Sequence, residues 1–245
     1  MSKPIEISLI GDTEIIAHRG LSGLAPENTK EAFILAGEHG YYGTECDIHF
    51  TKDKKMVVFH DHSLERMTGR KLLIKELFSD DIKQLMINSG NGIMHYKNVQ
   101  IPFLEEYLDI CIKYNMVPII EVKSVHELQD LDFLIDLLKE KALLDVSHII
   151  SFHLEFLIYL RDKVRDLIIY YLVDSIKEND INICKTYGFN IDANGKYLTK
   201  DHIINCHKHQ IKVNTYTVDD VQLAKTFNEA QIDYITSNIL KKRVE

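Results

Sequence analysis

Tryptophan is absent from the 245 residues, proline occurs only four times, and the four cysteines stand far apart. Cys46, Cys111, Cys184 and Cys206 form no CxxC pair, so neither a zinc ribbon nor a disulfide framework is indicated, and reduced thiols are expected. No basic excess exists either. The formal net charge is -8 and the sequence pI about 5.8, which argues against a surface built to neutralise nucleic-acid phosphates. Long apolar runs are also missing. The longest, Leu167–Val173, is strand-length and far short of the roughly 18 residues that a membrane helix needs, so no stable membrane insertion is expected. Met1 to Gly11 carries Glu6 and no basic start leading into an apolar run, so it does not read as a secretory signal. The expected location is cytoplasmic. No internal repeat or low-complexity tract is evident.

What is present is an alternation. A content of 45% hydrophobic and 27% charged residues suits a soluble globular chain, and the length suits one large α/β domain or two small ones. Short β-rich runs read as strands at Ile15–His18, Thr44–Phe50, Ile119–Lys123, His148–Phe152, Ile168–Val173, Asn190–Ala193, Val213–Thr217 and Tyr234–Thr236. Between them, helices are predicted at Thr29–Gly40, Leu104–Tyr114, Leu128–Glu140, Leu154–Val164, Ile176–Tyr187, Thr199–Lys208 and Val221–Glu229. Leu131, Leu134, Ile135 and Leu138 illustrate the helical spacing. Asn28 or Thr29 is a candidate cap for the first helix, while Gly40 and Gly188 fall where helices should end. This order predicts an α/β fold, a closed (β/α)₈ TIM barrel, with an open doubly wound sheet as the alternative that the same periodicity allows.

One stretch breaks the pattern. Thr51 to Lys55 is too short for a helical crossover, so Thr44–Phe50 and Met56–His60 should form an antiparallel hairpin that returns His60 beside Cys46. Residues 61–101 then read as a small insertion with a short helix near Asp80–Met86. The expected organisation is a single barrel domain over residues 1–245 carrying that insertion.

The unusual polar residues cluster at strand ends. His18-Arg19-Gly20 closes the first strand, and Glu45 and Asp47 share one face of the second. Glu121 and Lys123 repeat the spacing on the third, and His60-Asp61 ends the hairpin. In a barrel, the carboxyl ends of the strands are where chemistry is placed. Three carboxylates without a cysteine make an oxygen-donor site, which favours Mg²⁺, Ca²⁺ or Mn²⁺ over zinc. With one divalent cation, Arg19 and Lys123, those carboxylates leave a single positive charge, which a phosphodiester monoanion would neutralise. Arginine suits phosphate through paired hydrogen bonds and lysine as a point charge. Two histidines can then move the protons near neutral pH.

The chain has 12 histidines, so most must be incidental. His49 shares the face of Glu45 and Asp47, yet a packing role is expected. His202, His207 and His209 read as solvated, and His62 and His153 as loop residues. Phe152 and Tyr216, at two further strand ends, are candidates for a substrate wall or for core packing. Cys46 points to the opposite face from its neighbours and reads as a buried hydrophobe.

Taken together, Ile16-Ala17-His18-Arg19-Gly20, Ala25-Pro26-Glu27-Asn28-Thr29, Glu45-Cys46-Asp47 and Val57-Val58-Phe59-His60-Asp61 resemble the glycerophosphodiester phosphodiesterase family. Leu64, Arg66, Thr68, Ile101–Glu106, Glu121-Val122-Lys123, Ser151-Phe152 and Tyr216-Thr217-Val218 continue the likeness, which runs from about Glu14 to Asn238. The resemblance implies a barrel with a small insertion after the HD motif. It also implies hydrolysis of glycerophosphodiesters to glycerol 3-phosphate and an alcohol with Mg²⁺ or Ca²⁺. Carried over by position, it implies His18 and His60 as the acid–base pair and Glu45, Asp47 and Glu121 around the metal. Arg19 and Lys123 would then lie on the phosphate. Glu27 and Asn28 are expected to shape the first loop and cap its helix. Two departures stand out: Tyr216 occupies a place where the family often has tryptophan, and Thr236-Ser237-Asn238 replaces a Thr-Asp followed shortly by proline. A lysophospholipid phosphodiesterase is the first alternative, with Leu72, Leu73, Leu77, Phe78 and Met86 of the insertion as an apolar entry. A non-catalytic barrel that binds a phosphorylated ligand is the second.

Overall fold

A computed structural model describes residues 3–243. Its strands, in chain order, are β1 (Ile5–Ile7), β2 (Glu14–Ala17), β3 (Gly43–Phe50), β4 (Met56–Val58), β5 (Val117–Val122), β6 (His148–Ser151), β7 (Ile168–Val173), β8 (Asn190–Asn194), β9 (Val213–Tyr216), β10 (Tyr234–Ser237) and β11 (Leu240–Lys242). From β2 through β3 and β5 to β10, every neighbour pairs in parallel, and β2 bonds β10 as well as β3. That last pairing closes the ring into the (β/α)₈ barrel and rules out the open sheet. The helices Lys30–Glu38, Leu104–Tyr114, Leu131–Glu140, Leu154–Lys163, Glu178–Tyr187, Lys200–Lys208 and Val221–Glu229 fill the crossovers.

Local chemistry explains these boundaries. Leu104–Tyr114 buries Leu104, Tyr107, Leu108 and Cys111, one stripe at helical spacing, and ends at Asn115 in the left-handed region. Glu178–Tyr187 stops at Gly188, whose φ of 67° costs a glycine little and most residues much more. Thr29, not Asn28, caps the first helix, its hydroxyl accepting the Ala32 N–H at 3.2 Å. The larger apolar cluster lies between strands and helices and includes Cys46, Ile48, Tyr107, Cys111 and Leu134. Removing a buried leucine there, as in Leu134→Ala, would cost about 2–5 kcal/mol. Inside the barrel, Ile16, Ile119, Ile150, Tyr170 and Leu172 form a second cluster, so the lumen is packed rather than open.

The hairpin is present. β4 runs antiparallel to β3, with Ile48 opposite Val58, and the Phe59 N–H donates to the Asp47 carbonyl at 2.9 Å. After it, the insertion builds its own small core from Leu64, Met67, Ile74, Ile82, Ile87 and Val99 against Val57 and Phe59. The helix expected near Asp80–Met86 is shorter, Ser79–Ile82. The chain must straighten by Met86 because Met86 bridges Gln100 and the Ile87 N–H donates to the Val99 carbonyl at 2.8 Å.

The insertion then folds back onto the loop after β2. Asn91 Nδ2 donates to the Ser22 carbonyl at 2.8 Å. Gly92 passes so close that a Cβ there would lie 2.3 Å from the Leu24 carbonyl oxygen. β1 and β11 pair in parallel outside the barrel, a ribbon that the alternation did not reveal. Among the described residues, no helix is long and apolar enough to cross a membrane.

Candidate active site

β3 is buried along all of its length, so the period of two sends Cys46 and Ile48 toward the helices and Glu45, Asp47 and His49 inward. β5 pairs with it so that Asp47 faces Glu121 across the ladder. Oxygens of Glu45, Asp47 and Glu121 all lie within 4.8 Å of one another. Such crowding raises the proton affinity of two of the three. Burial, then the charge on Asp47, push Glu45 well above the usual carboxylate range, and the same two causes bring Glu121 to about 7. Asp47 is also disfavoured by burial, but Arg19 and Lys123 outweigh it and hold the carboxyl at about 2.

Asp47 Oδ1 is buried and accepts no hydrogen bond, although Lys123 Nζ stands 3.5 Å away and contacts Glu121 at 2.9 Å. An unsatisfied carboxylate oxygen beside two others is a hard-oxygen donor set suited to a divalent cation. The donor set therefore fits the metal that the three carboxylates suggested in sequence.

The loop after β2 is shaped around these acids. Arg19, at φ 53°, turns its backbone N–H onto Glu45 Oε2 at 2.9 Å. A non-glycine residue in this region is held there by its surroundings. Gly20 follows at φ 78°, where a Cβ would meet the Ala32 backbone at 2.6 Å. The Arg19 guanidinium lies 3.2 Å from Asp47 Oδ2 through Nε and donates to Glu27 Oε1 at 2.9 Å through Nη1. Asn28 is not the helix cap that one reading allowed. It is buried, and its Nδ2 donates to Asp47 Oδ2.

Both histidines border the trio. His18 Nε2 lies 4.0 Å from Glu45 Oε2, and His60 is near enough for its charge to bear on Asp47. Each ring is held through Nδ1. His18 Nδ1 meets Asn238 Oδ1 at 2.8 Å, and Asn238 Nδ2 donates to Asp219 Oδ2 at 2.7 Å. A carboxylate only accepts, so the Asn238 amide nitrogen must face Asp219 and its oxygen must face His18. His18 therefore carries its proton on Nδ1 and leaves Nε2 free to accept. Burial first, then Arg19, lower its pKa to about 4. His60 Nδ1 donates to Asp61 Oδ1 at 2.6 Å, and Asp61, although partly buried, stays ionised because Arg66 and His60 stabilise it.

His49 has the packing role, but it also supports the site. Its Nε2 donates to the His60 carbonyl at 3.1 Å and its Nδ1 meets Ser124 Oγ at 2.8 Å. Phe152 and Tyr216 face each other edge to face at 6.1 Å. Phe152 is 44% exposed, and the Tyr216 hydroxyl donates to the Val173 carbonyl. The sequence reading missed Asn28, Asp61, Arg66, Asp219 and Asn238 as supports. Only Asp61, next to a candidate histidine, carried a local signal.

The model of the glycerophosphoryl diester phosphodiesterase family matches residues 18–241. Among curated relatives, the uncharacterised protein YqiK of Bacillus subtilis is 38% identical over 112 residues, 46% of this chain and 46% of its own. The matched segment thus spans about half the length of that relative. A glycerophosphodiester phosphodiesterase of Bacillus altitudinis is 28% identical over 251 residues, covering 95% of this chain and 97% of the relative. A phosphodiesterase of Oleispira antarctica, solved with its product sn-glycerol-3-phosphate, superposes with a TM-score of 0.87 at 26% identity, over 92% of this chain and 93% of its own. The chain belongs to the glycerophosphoryl diester phosphodiesterase family.

Proposed function

We propose that this protein is a divalent-metal-dependent enzyme that hydrolyses glycerophosphodiesters to glycerol 3-phosphate and an alcohol. The observation that carries the reading is the trio Glu45, Asp47 and Glu121 flanked by two histidines and two side-chain cations. Those carboxylates would hold one Mg²⁺ or Ca²⁺, with Mn²⁺ also compatible, and the bound cation would supply positive charge to the phosphoryl oxygens. Arg19 and Lys123 add to that charge and orient the diester. Phe152 and Tyr216 wall the side on which glycerol or the alcohol sits.

The two histidines have different surroundings, which divides their work. His18 is buried and neutral with a free Nε2, so it suits the base: it takes the proton of the attacking hydroxyl as the new P–O bond forms. His60 donates its Nδ1–H to the Asp61 carboxylate, which holds the ring with Nε2 on the far side, so it is assigned the acid: it protonates the leaving alkoxide as the old P–O bond breaks. The hydroxyl belongs either to water or to the glycerol 2-position. In the second route a cyclic phosphate forms first, and trapping it under single-turnover conditions identifies that route. The reading places the enzyme in the cytoplasm, in keeping with four free, buried cysteines.

The test is glycerol 3-phosphate release from glycerophosphocholine and glycerophosphoethanolamine, first with EDTA and then with Mg²⁺, Ca²⁺ or Mn²⁺ restored. Metal-restored release is the expected result, and no release with any metal overturns the proposal. A second reading, lysophospholipid hydrolysis at the same centre, draws on Leu72, Leu73, Phe78 and Met86 of the insertion, all of which stay exposed. Faster turnover of lysophosphatidylcholine than of glycerophosphocholine would favour it.

A further inference from the structure

The insertion sends one side chain to the rim of the site. Arg66, on the short helix Glu65–Thr68, lies between two carboxylates. Its Nε donates to Asp61 Oδ2 at 2.7 Å and its Nη2 to Asp61 Oδ1 at 3.2 Å. On the other side, Nη2 reaches Glu27 Oε1 at 2.7 Å and Nη1 reaches Glu27 Oε2 at 3.1 Å. Both carboxylates have a second engagement within the site. Asp61 Oδ1 accepts a hydrogen bond from His60 Nδ1 at 2.6 Å, and Glu27 Oε1 accepts one from Arg19 Nη1 at 2.9 Å.

The outcome is an unbroken path of alternating charge, His60–Asp61–Arg66–Glu27–Arg19–Asp47. It joins the histidine of the hairpin to the loop that carries the other histidine. Only a planar guanidinium can offer paired donors on two edges at once, and an ammonium cannot. The Arg66 side chain is 45% exposed, so these pairs contribute little to holding the fold together. Their consequence is geometric. Asp61 is itself partly exposed, and without the fork its carboxylate is free to turn to water and leave His60 Nδ1 without a partner.

We propose that Arg66 is a positioning residue: by fixing the plane of the Asp61 carboxylate it keeps the His60 proton on Nδ1 and turns Nε2 toward the substrate, and through Glu27 it locks the Arg19 loop to the same frame. The proposal rests on the reading of this centre as an acid–base phosphodiesterase. It gives the insertion a part in the reaction rather than a purely covering one.

The test compares kcat and KM of the metal-saturated wild type with Arg66→Ala, Arg66→Lys, Asp61→Asn and the Arg66→Ala/Asp61→Asn double variant on glycerophosphocholine. Arg70→Ala, at another exposed arginine of the insertion, is the control. Both Arg66 variants should lose kcat on the order of 10²-fold with KM nearly unchanged, the scale of a catalytic group displaced by about 1 Å. The double variant should fall no further than Asp61→Asn alone. Full kcat in Arg66→Ala, full kcat in Arg66→Lys, or losses that multiply in the double variant would each overturn the proposal.

A nitrogen-edited NMR spectrum supplies the reading that needs no turnover. The His60 Nδ1–H resonance, assigned by its absence in His60→Ala, should vanish in Arg66→Ala. Should the wild type hydrolyse no glycerophosphodiester, the function falls while this resonance still decides the placement. Its persistence in Arg66→Ala would count against Arg66.

Discussion

Asn28 grips Asp47 twice: its Nδ2 donates to Oδ2 at 2.7 Å, and its Oδ1 takes the Asp47 backbone N–H at 3.3 Å. One amide thereby sets the direction of the remaining Asp47 oxygen, Oδ1, which lies 3.5 Å from Lys123 Nζ. Asn28→Gly keeps the left-handed backbone, at φ 54°, and removes only the grip. Affinity for a divalent cation should fall about 10–100-fold, the usual effect of losing a partner that orients a ligand. Titration calorimetry measures it, and unchanged affinity would show that Asp47 needs no such support.

Glu45 and Glu121 are held in a crowd that burial and Asp47 make unfavourable to ionise. A cation should relieve that crowding, and so raise the melting temperature. At 100 times its dissociation constant it would add about 2.7 kcal/mol. Glu121→Gln should shrink the metal-induced shift. A melting curve indifferent to Mg²⁺, Ca²⁺ and Mn²⁺ alike would argue that the trio holds none of them.

Asn238 accepts from both His18 Nδ1 and Ser22 Oγ, each at 2.8 Å. Asn238→Ala leaves the His18 ring free to adopt the other tautomer, with the proton on Nε2. Turnover should drop about ten-fold or more, while KM changes little. Steady-state kinetics at saturating cation checks this. A rise in KM alone would move Asn238 from supporting His18 to binding substrate.

His148 lies near the opposite end of the barrel from the site, stacked on Tyr170 at 5.2 Å, and burial, then Lys212, lower its pKa to about 4. Between that value and the roughly 6.5 of an unfolded chain, the unfolded state binds a proton that the native state refuses. Stability therefore falls as pH drops from about 6.5 to 4, by a few kcal/mol on the order of 3, and is not affected by this group above that window. His148→Phe should flatten this fall in urea unfolding at pH 7, 5.5 and 4.5. A fall as steep as in the wild type would assign the acid sensitivity to other groups.

Much of this was legible because it is periodic or local. The strand predicted at Ile168–Val173 matches β7 residue for residue, and Glu45, Asp47 and Glu121 lie where strand alternation puts them. Ile5–Ile7 was missed because three residues carry almost no pattern, and its partner Leu240–Lys242 lies at the other end of the sequence. The supporting residues were hidden for a related reason. Asn28 and Asn238 are ordinary amides whose meaning comes from a partner 19 or 220 residues away. Arg66 sits in an insertion with no regular period, where nothing in the spacing announces two carboxylates.

The closing of the ring on itself has a consequence for a chain made from its N-terminus. β2 leaves the ribosome early, yet its second edge stays unpaired until Tyr234–Ser237 arrives. During that interval Ile15 and Ile16 present a bare strand edge, the kind of surface that recruits wrong partners. His18 waits with them, since the amide that fixes its proton comes one residue after the last barrel strand. A nascent or C-terminally clipped chain can thus carry His18, Glu45, Asp47, His60 and Glu121 while the ring stays open and His18 Nδ1 lacks its Asn238 partner. One short stretch, residues 234–238, both closes the ring and places the His18 proton.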